Sequence, residues 1–429
     1  MKPRYRWFVA FVFFLFMLLH QADKLLIGPL TTAIMDDFRI NEAQMGAVSS
    51  LAIVVASLLY PVWGYLYDRF ARNKLLAMAS FIWGSTTWLN ALAPTYPVFM
   101  ATRSSTGIDD SSYPGLYSLL ADYFGPQTRG KVYGAMQVSG PMGFMLGTVL
   151  ATTLGGALGW RRVFFITGTS GIVIAALILI VVRERSRGSA EPEMEGMEDV
   201  QSYRIDREAV RKLLRIRSLP LLMAQGFFGI FAWNVLVFWF FRYLEIERGY
   251  TSQQAMMAML VAIATISIGY LLGGNLGDAL FKRLRRGRII VGGLGTLSAA
   301  LLLPLTMNVP VDNRVLFMVL LGLTGIVMPM NGPSMMATVP DITPPEVRST
   351  AQAVRKLVED GGAALAPYLA GVVAMRTSLH TAIVAICVST WLASAALLVA
   401  VGYLVPRDID SLRQMMRQRA AESESRSKR

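Results

Sequence analysis

Long apolar stretches recur along almost the whole chain, and they restrict its fold more than any other feature. Most are long enough to cross the ~30 Å hydrocarbon core of a bilayer as an α-helix. Apolar residues make up 54% of the 429 positions and charged residues only 16%, which a soluble surface would not tolerate. The sequence therefore predicts an all-α membrane protein with twelve transmembrane helices, numbered here as spans 1 to 12. The stretches lie at 7–30, 44–66, 75–93, 97–123, 131–158, 162–182, 218–244, 252–276, 289–308, 312–340, 349–374 and 378–405.

The distribution of basic residues predicts the orientation of these spans. If the N-terminus is cytoplasmic, most of the 41 Lys and Arg residues fall in cytoplasmic loops and in the C-terminal tail. Both termini are therefore expected in the cytoplasm. The net charge of +13 is spread over short loops that face anionic lipid, so membrane lipid is the expected partner and nucleic acid is not.

The chain is predicted to consist of two halves. Residues 1–185 form the first six-helix bundle and 218–405 the second, and 406–429 form a basic cytoplasmic tail. The polar segment 186–217 reads as a cytoplasmic linker, and its C-terminal part has the apolar spacing of a helix lying on the membrane surface.

Internal repetition supports the two halves. The stretch Gly64 to Asp68 at the end of span 2 is matched by Gly274 to Asp278 at the end of span 8. Membrane proteins built from two such copies bind substrate near the bilayer midplane and expose it alternately to each side.

Ionisable residues interrupt spans 1 and 4: Asp23 and Lys24 in the first, and Arg103, Asp109 and Asp110 in the second. Each charge near a helix centre costs about 2.5–3.5 kcal/mol, so such groups persist if they pair, line an aqueous cavity or change protonation. On one continuous helix Asp110 lies within about 20° of Arg103, whereas Asp109 points about 120° away. Ion pairs that merely hold helices together are the alternative, which is disfavoured for Asp110 and left open for Asp109.

Further polar residues within the spans are weaker candidates. His20 lies one turn before Asp23, and Tyr113 follows the acidic pair. Gln225, Asn234 and Asn331 either line a cavity or form interhelical hydrogen bonds. Arg355 and Lys356 precede Glu359 and Asp360 by four residues each and are expected to neutralise them. With one cysteine and two histidines, no metal site or other cofactor is expected.

The exit from span 2 carries a specific signature. The run from Gly64 to Lys74, Gly-Tyr-Leu-Tyr-Asp-Arg-Phe-Ala-Arg-Asn-Lys, is similar to the loop 2-3 signature of the major facilitator superfamily. Arg103 to Gly107 and Gly159 to Phe165 resemble its motifs in helices 4 and 6. The resemblance implies a transporter with two pseudo-symmetric six-helix bundles. It also implies a cytoplasmic gate motif made of Gly64, Asp68, Arg69 and Arg72.

Within that superfamily the chain resembles the Spinster group, proton-coupled carriers of lysophospholipids and sphingosine phosphate. Asp23-Lys24 matches the group's helix 1 Asp-Arg, and the run Thr106 to Tyr113 resembles its Gly-Ile-Gly-Glu-Ala-Ser-Tyr. Lys24 stands in place of Arg and loses the planar fork that suits bidentate anion binding. Asp110 stands for Glu and Asp109 for Gly, so the second acid is an addition.

Together these observations predict a proton-coupled secondary active transporter for an amphiphilic anion or zwitterion such as a lysophospholipid. Asp110 is the first candidate for the proton site, followed by Asp23 and Asp109. Lys24 and Arg103 are expected to bind the anionic group, with His20, Tyr113, Asn234 and Asn331 nearby. A soluble organic anion or drug is the alternative cargo, and an uncoupled lipid facilitator or scramblase is the second alternative. No enzymatic activity is expected, and the protein is predicted to act as a monomer in a bacterial or archaeal plasma membrane.

Overall fold

The computed structural model describes residues 3–124, 126–185, 216–343 and 348–427, and nearly all of them are helical. The predicted surface helix near the end of the linker 186–217 falls almost entirely outside these residues. In chain order the α-helices are α1 (Pro3–Leu25), α2 (Ile27–Phe38), α3 (Glu42–Arg69), α4 (Arg72–Leu92), α5 (Tyr96–Ser105), α6 (Gly107–Asp110), α7 (Tyr113–Tyr123), α8 (Pro126–Leu158), α9 (Trp160–Val181), α10 (Ser218–Ile246), α11 (Ser252–Phe281), α12 (Gly287–Met307), α13 (Arg314–Val327), α14 (Asn331–Ile342), α15 (Arg348–Arg376) and α16 (Leu379–Ser427).

Within the described ranges, ten helical segments are long and apolar enough to cross a membrane. The segments predicted as spans 3 and 4 are helical as well, but they are not among these ten. The segment for span 3, α4, carries buried polar residues such as Thr87 and Asn90 along its length. The chain is thus a multi-pass membrane protein, while the number of twelve spans and the cytoplasmic termini stay predictions.

Span 4 is not the single helix that the sequence analysis assumed, because it is divided into α5, α6 and α7. Thr106 Oγ1 donates a hydrogen bond to the carbonyl of Arg103 at 2.7 Å, and Ser111 Oγ donates to that of Ile108 at 3.1 Å. Such side chains compete with the helical ladder, and Pro114 at the start of α7 has no N–H to continue it. Asp109 and Asp110 lie at this interruption.

The fold divides into two compact units. The first contains α1 to α9 together with Leu236–Leu260 and Ala364–Ala382. The second contains the described residues of Arg204–Val235, Val261–Ala363 and Ile383–Arg429. The predicted domain boundaries around 186–217 stay a prediction.

The first unit is built on two long helix pairs, α1 against α8 and α4 against α9. Small residues bring the second pair close together, since a Cβ atom on Gly84 would lie 2.6 Å from the Gly168 carbonyl oxygen. Close approach of this kind drives helix association in lipid, where apolar side chains gain little from leaving the bilayer. Phe13, Phe16 and Trp83 fill the core beside α1. The packing fixes the face of α1 that carries His20, Asp23 and Lys24.

Candidate functional site

The outermost contact of the candidate site is an ion pair between α1 and α6. Lys24 Nζ lies 2.9 Å from Asp110 Oδ2. The Lys24 side chain is 41% exposed, whereas that of Asp110 is 9% exposed. The ammonium group is therefore the part of the site that an incoming anion can reach.

Behind this pair, His20 connects the two acids to Tyr113. Its Nε2 atom lies 2.6 Å from Asp109 Oδ2 and 3.6 Å from Asp110 Oδ1. Its Nδ1 atom contacts the Tyr113 hydroxyl, which also accepts a hydrogen bond from Gln21 Nε2 at 3.2 Å. A neutral imidazole can donate from Nε2 to Asp109 while the tyrosine donates to Nδ1. A charged imidazole can donate from both nitrogens, so the network accommodates one proton more or less.

Aromatic side chains enclose this network. Phe16 stacks on the His20 ring with 5.8 Å between centroids, and Trp83 meets the same ring edge-on at 5.2 Å. His20 is 2% exposed and Asp109 1%. Lys24 is the exposed edge of the cluster. Towards the interior, where less water is present, the charges of the cluster are screened less from one another.

A second, fully enclosed ion pair joins four elements. Arg103 Nη1 lies 3.7 Å from Asp23 Oδ2, and Asp23 also accepts hydrogen bonds from Thr167 at 2.5 Å and Thr87 at 3.1 Å. Arg103 donates to the Lys24 carbonyl at 3.1 Å, and its side chain is 5% exposed. Arg103 thus lies beside Asp23. The sequence placed Arg103 and Asp110 on one face of span 4 but did not assign this pair.

Counting charges defines what the cluster of His20, Lys24, Asp109 and Asp110 can do. Asp23 and Arg103 cancel, and Lys24 balances one of the two remaining carboxylates. One proton, shared by His20 and the acids, makes the cluster neutral.

The ligand atoms of His20, Asp109 and Asp110 lie within 4.8 Å of one another, as in a metal site. The Lys24 ammonium already occupies Asp110, however, and its charge disfavours a divalent cation there.

The predicted gate motif begins in the C-terminal part of α3 and continues into the start of α4. Arg72 is 2% exposed and forms ion pairs with Asp122 at 2.6 Å and Glu184 at 2.8 Å. The Arg69 guanidinium lies 4.3 Å from the centroid of the Tyr65 ring. Gly64 lies within α3, and the side chain of Asp68 is outside the described part. Arg72 therefore ties the ends of α4, α7 and α9 together, and Asp122 and Glu184 are partners that the motif alone did not reveal.

The polar candidates of the second half form contacts within the second unit. Gln225 donates to Ser394 Oγ at 2.9 Å, and Asn234 donates to the carbonyl of Ile230 in its own helix at 3.0 Å. Asn331 packs against Gly292. The expected pairing of Glu359 and Asp360 is present: Arg355 contacts Glu359, and Lys356 Nζ lies 2.6 Å from Asp360.

Sequence reasoning missed an ion pair in the first unit. Arg242 of α10 lies 3.0 Å from Glu42 of α3, and its guanidinium also donates to Thr32 Oγ1 at 3.1 Å. Thr32 in turn donates to Glu245 at 2.9 Å. The sequence signal for this pair was an arginine directly after the apolar run Phe238 to Phe241. The sequence did not indicate its partner, which is 200 residues away.

Comparison with known proteins agrees with this architecture. A family model described as Major Facilitator Superfamily matches residues 9–367 and 262–418. The protein spinster of Drosophila melanogaster is 26% identical over 394 residues, which cover 88% of this chain and 63% of the fly protein, so the chain spans less than two thirds of that relative. The cis,cis-muconate transport protein of Acinetobacter baylyi is 26% identical over 386 residues, covering 87% of this chain and 89% of that protein. A crystal structure of a bacterial homologue of the human lysosomal transporter Spinster superposes with a TM-score of 0.78 at 18% identity, covering 95% of this chain and 97% of that one.

Proposed function

The chain is a member of the major facilitator superfamily, and on this premise we propose that it is a proton-coupled secondary transporter of an amphiphilic anion or zwitterion of the lysophospholipid type. The carrying observation is the Lys24–Asp110 ion pair, whose cation is exposed while its carboxylate is buried. Similarity to a sphingosine-1-phosphate transporter of Danio rerio, which is 26% identical over 228 residues, supports the substrate class. We place the protein in a bacterial or archaeal cytoplasmic membrane, acting as a monomer.

The substrate and the Asp110 carboxylate compete for Lys24. The anionic head group of the substrate approaches the exposed ammonium and draws it from Asp110. A buried carboxylate without its cation is costly to keep ionised, so Asp110 takes up a proton. When the substrate leaves, Lys24 returns and the proton is released. Alternating access then places these two steps on opposite sides of the membrane, which couples the two fluxes.

His20 and Asp109 supply the proton store beside this pair. The 3.6 Å between His20 Nε2 and Asp110 Oδ1 leaves a short path for a proton once Lys24 moves. Asp23 and Arg103 hold α1 and α5 in register, because both are enclosed and their partners Thr87 and Thr167 lie on α4 and α9. In this proposal Arg103 positions the backbone at Lys24 and does not itself contact the substrate.

The test is uptake of labelled lysophospholipid by proteoliposomes with and without an imposed pH gradient. The native protein should accumulate substrate, whereas Asp110→Asn should lose accumulation driven by the gradient and still bind lysophospholipid. Asp37→Asn is the matched control, since Asp37 is a partly exposed acid that pairs with Arg161 away from the site. Undiminished gradient-driven accumulation by Asp110→Asn would refute the role of this residue. Transport that ignores the gradient in every variant would instead identify an uncoupled facilitator or scramblase.

A soluble organic acid is the second candidate substrate. The observation that favours it is the match to the muconate transport protein, which extends over 89% of that protein. The same exposed ammonium would bind a carboxylate. Inhibition of lysophospholipid uptake by cis,cis-muconate, together with direct uptake of labelled muconate, would favour this candidate over the amphiphile.

A further inference from the structure

A groove in the second unit, distant in sequence from the transport site, has the features of a lipid site. It lies between α12 and α16 and has a volume of about 280 Å³. Ile290, Leu294 and Leu297 form one wall, and Val399 and Tyr403 form part of the other. Gly293 and Gly402 widen it, because neither adds a side chain to the space between the helices.

The dimensions of the groove match one leaflet of a bilayer. Arg286 lies at one end and Leu297 near the other, eleven residues further along the chain. At 1.5 Å per residue this corresponds to ~16 Å, about half of the ~30 Å hydrocarbon core. A single acyl chain entering from the end at Arg286 would therefore reach the middle of the membrane.

The end of the groove at Arg286 is basic. The turn between α11 and α12 contains Lys282, Arg283, Arg285 and Arg286, and Arg288 follows in the first turn of α12. Arg285 pairs with Asp410, and Arg288 pairs with Asp278 and Asp341, so these carboxylates are already engaged. Lys282, Arg283 and Arg286 are exposed and form no ion pair with residues in the described part of the chain.

We infer that the groove between α12 and α16 binds an anionic glycerophospholipid, with its phosphate at Arg286 and one acyl chain along Leu294 and Leu297. Apolar walls alone would accept any lipid. The three unengaged cations at one end select for negative charge near the membrane surface. Neither Lys24 nor Asp110 lines this groove, so we assign it a bound lipid and not the transported substrate.

A fluorophore at the groove tests this inference in the full-length protein. Cys387 is fully buried and is replaced by alanine, and Leu294→Cys then carries the label. Leu271→Cys provides the matched control, because Leu271 is 69% exposed on α11 and does not line the groove. Each labelled protein is placed in phosphatidylcholine vesicles that contain a minor phosphatidylglycerol component. In one set of vesicles the phosphatidylglycerol is brominated. In the other set an equal share of the phosphatidylcholine is brominated instead.

We expect brominated phosphatidylglycerol to quench the label at position 294 more strongly than brominated phosphatidylcholine, and both lipids to quench equally at position 271. Arg286→Glu should reduce the apparent preference at position 294 about tenfold, which corresponds to ~1.4 kcal/mol. Arg286→Lys should retain it, and Arg376→Glu, which reverses an exposed charge elsewhere, should not change it. Equal quenching by both lipids at position 294 would overturn the inference. Protection of position 294 from both lipids would also overturn it, since protein would then cover the groove.

Discussion

At the scale of single residues, the two adjacent acids of α6 have different partners. Asp110 faces the exposed Lys24, and Asp109 faces the enclosed His20. Sequence analysis identified the five ionisable positions on spans 1 and 4, because charges in apolar helices stand out. It did not assign which acid pairs with which cation, because contacts between side chains on different helices depend on the folded arrangement. Asp109, which is an addition relative to the Spinster pattern, pairs with His20.

The His20 network leads to a prediction about proton coupling. His20→Gln keeps a hydrogen-bond donor and an acceptor but cannot bind the extra proton. We expect gradient-driven accumulation to fall to the level of Asp110→Asn, while binding of lysophospholipid remains measurable. His380→Gln is the control, because His380 is the second of only two histidines and lies at the start of α16. If both histidine variants accumulate substrate equally well in response to the pH gradient, His20 is excluded from the proton path.

The two ion pairs should differ in their effect on stability. Asp23→Asn leaves the enclosed Arg103 without its carboxylate, so we expect a loss of about 3–5 kcal/mol and a lower Tm. Asp110→Asn leaves Lys24, whose side chain is 41% exposed, free to reach water, so we expect a change within about 1 kcal/mol. Thermal unfolding of the purified variants provides the comparison. The opposite order would mean that Lys24–Asp110 is the pair that holds the helices together.

At the scale of elements, the interruption of span 4 places the acids. The sequence predicted the apolar length of this span but not its break, because Thr106, Ser111 and Pro114 are each tolerated in transmembrane helices. Their combination within nine residues is the signal of a break in the helix. A prediction that considers only the apolar length of the span does not use this signal. The break also requires close packing, since a Cβ atom on Gly107 would lie 2.7 Å from the Ala56 nitrogen and 2.9 Å from Val55 Cβ.

Gly107→Ala should therefore separate α6 from α3. Overpacking of this kind costs about 1–3 kcal/mol, and it should lower the Tm and weaken proton coupling together, because Asp109 and Asp110 move with α6. Gly156→Ala in α8 is the control, since a Cβ atom there meets nothing within 4 Å. If Gly107→Ala unfolds at the same temperature as Gly156→Ala, the contact with α3 does not fix the position of α6.

At the scale of the whole molecule, the repeated spans and the signature at Gly64 were sufficient to predict the superfamily. They were not sufficient to show which parts of the later helices join the first unit. Arg242 of α10 and Pro367 of α15 belong to it: Arg242 pairs with Glu42, and the Pro367 carbonyl accepts a hydrogen bond from Trp239 Nε1 at 2.9 Å. Contacts between residues this far apart in sequence depend on the folded arrangement, and single-sequence patterns do not carry them.

The Arg242–Glu42 pair leads to the last prediction. In alternating access, contacts that close one side of the carrier must break when that side opens, and the expected topology places Glu42 on the outer side. Glu42→Gln removes the carboxylate that faces Arg242 and should shift the population towards the outward-open form. A cysteine at Ser50, in the Cys387→Ala background, reports this opening. Ser50 is 8% exposed and accepts a hydrogen bond from the Tyr368 backbone at 3.2 Å.

We expect a membrane-impermeant maleimide to label Ser50→Cys about tenfold more in the Glu42→Gln variant, as a loss of ~1.4 kcal/mol in pairing would produce. Asp37→Asn is the control, because Asp37 and Arg161 form an ion pair within the N-terminal helices α2 and α9 that need not break. Increased labelling in both variants would indicate general loosening of the fold. No increase in either would mean that Glu42 and Arg242 do not hold the outer side closed.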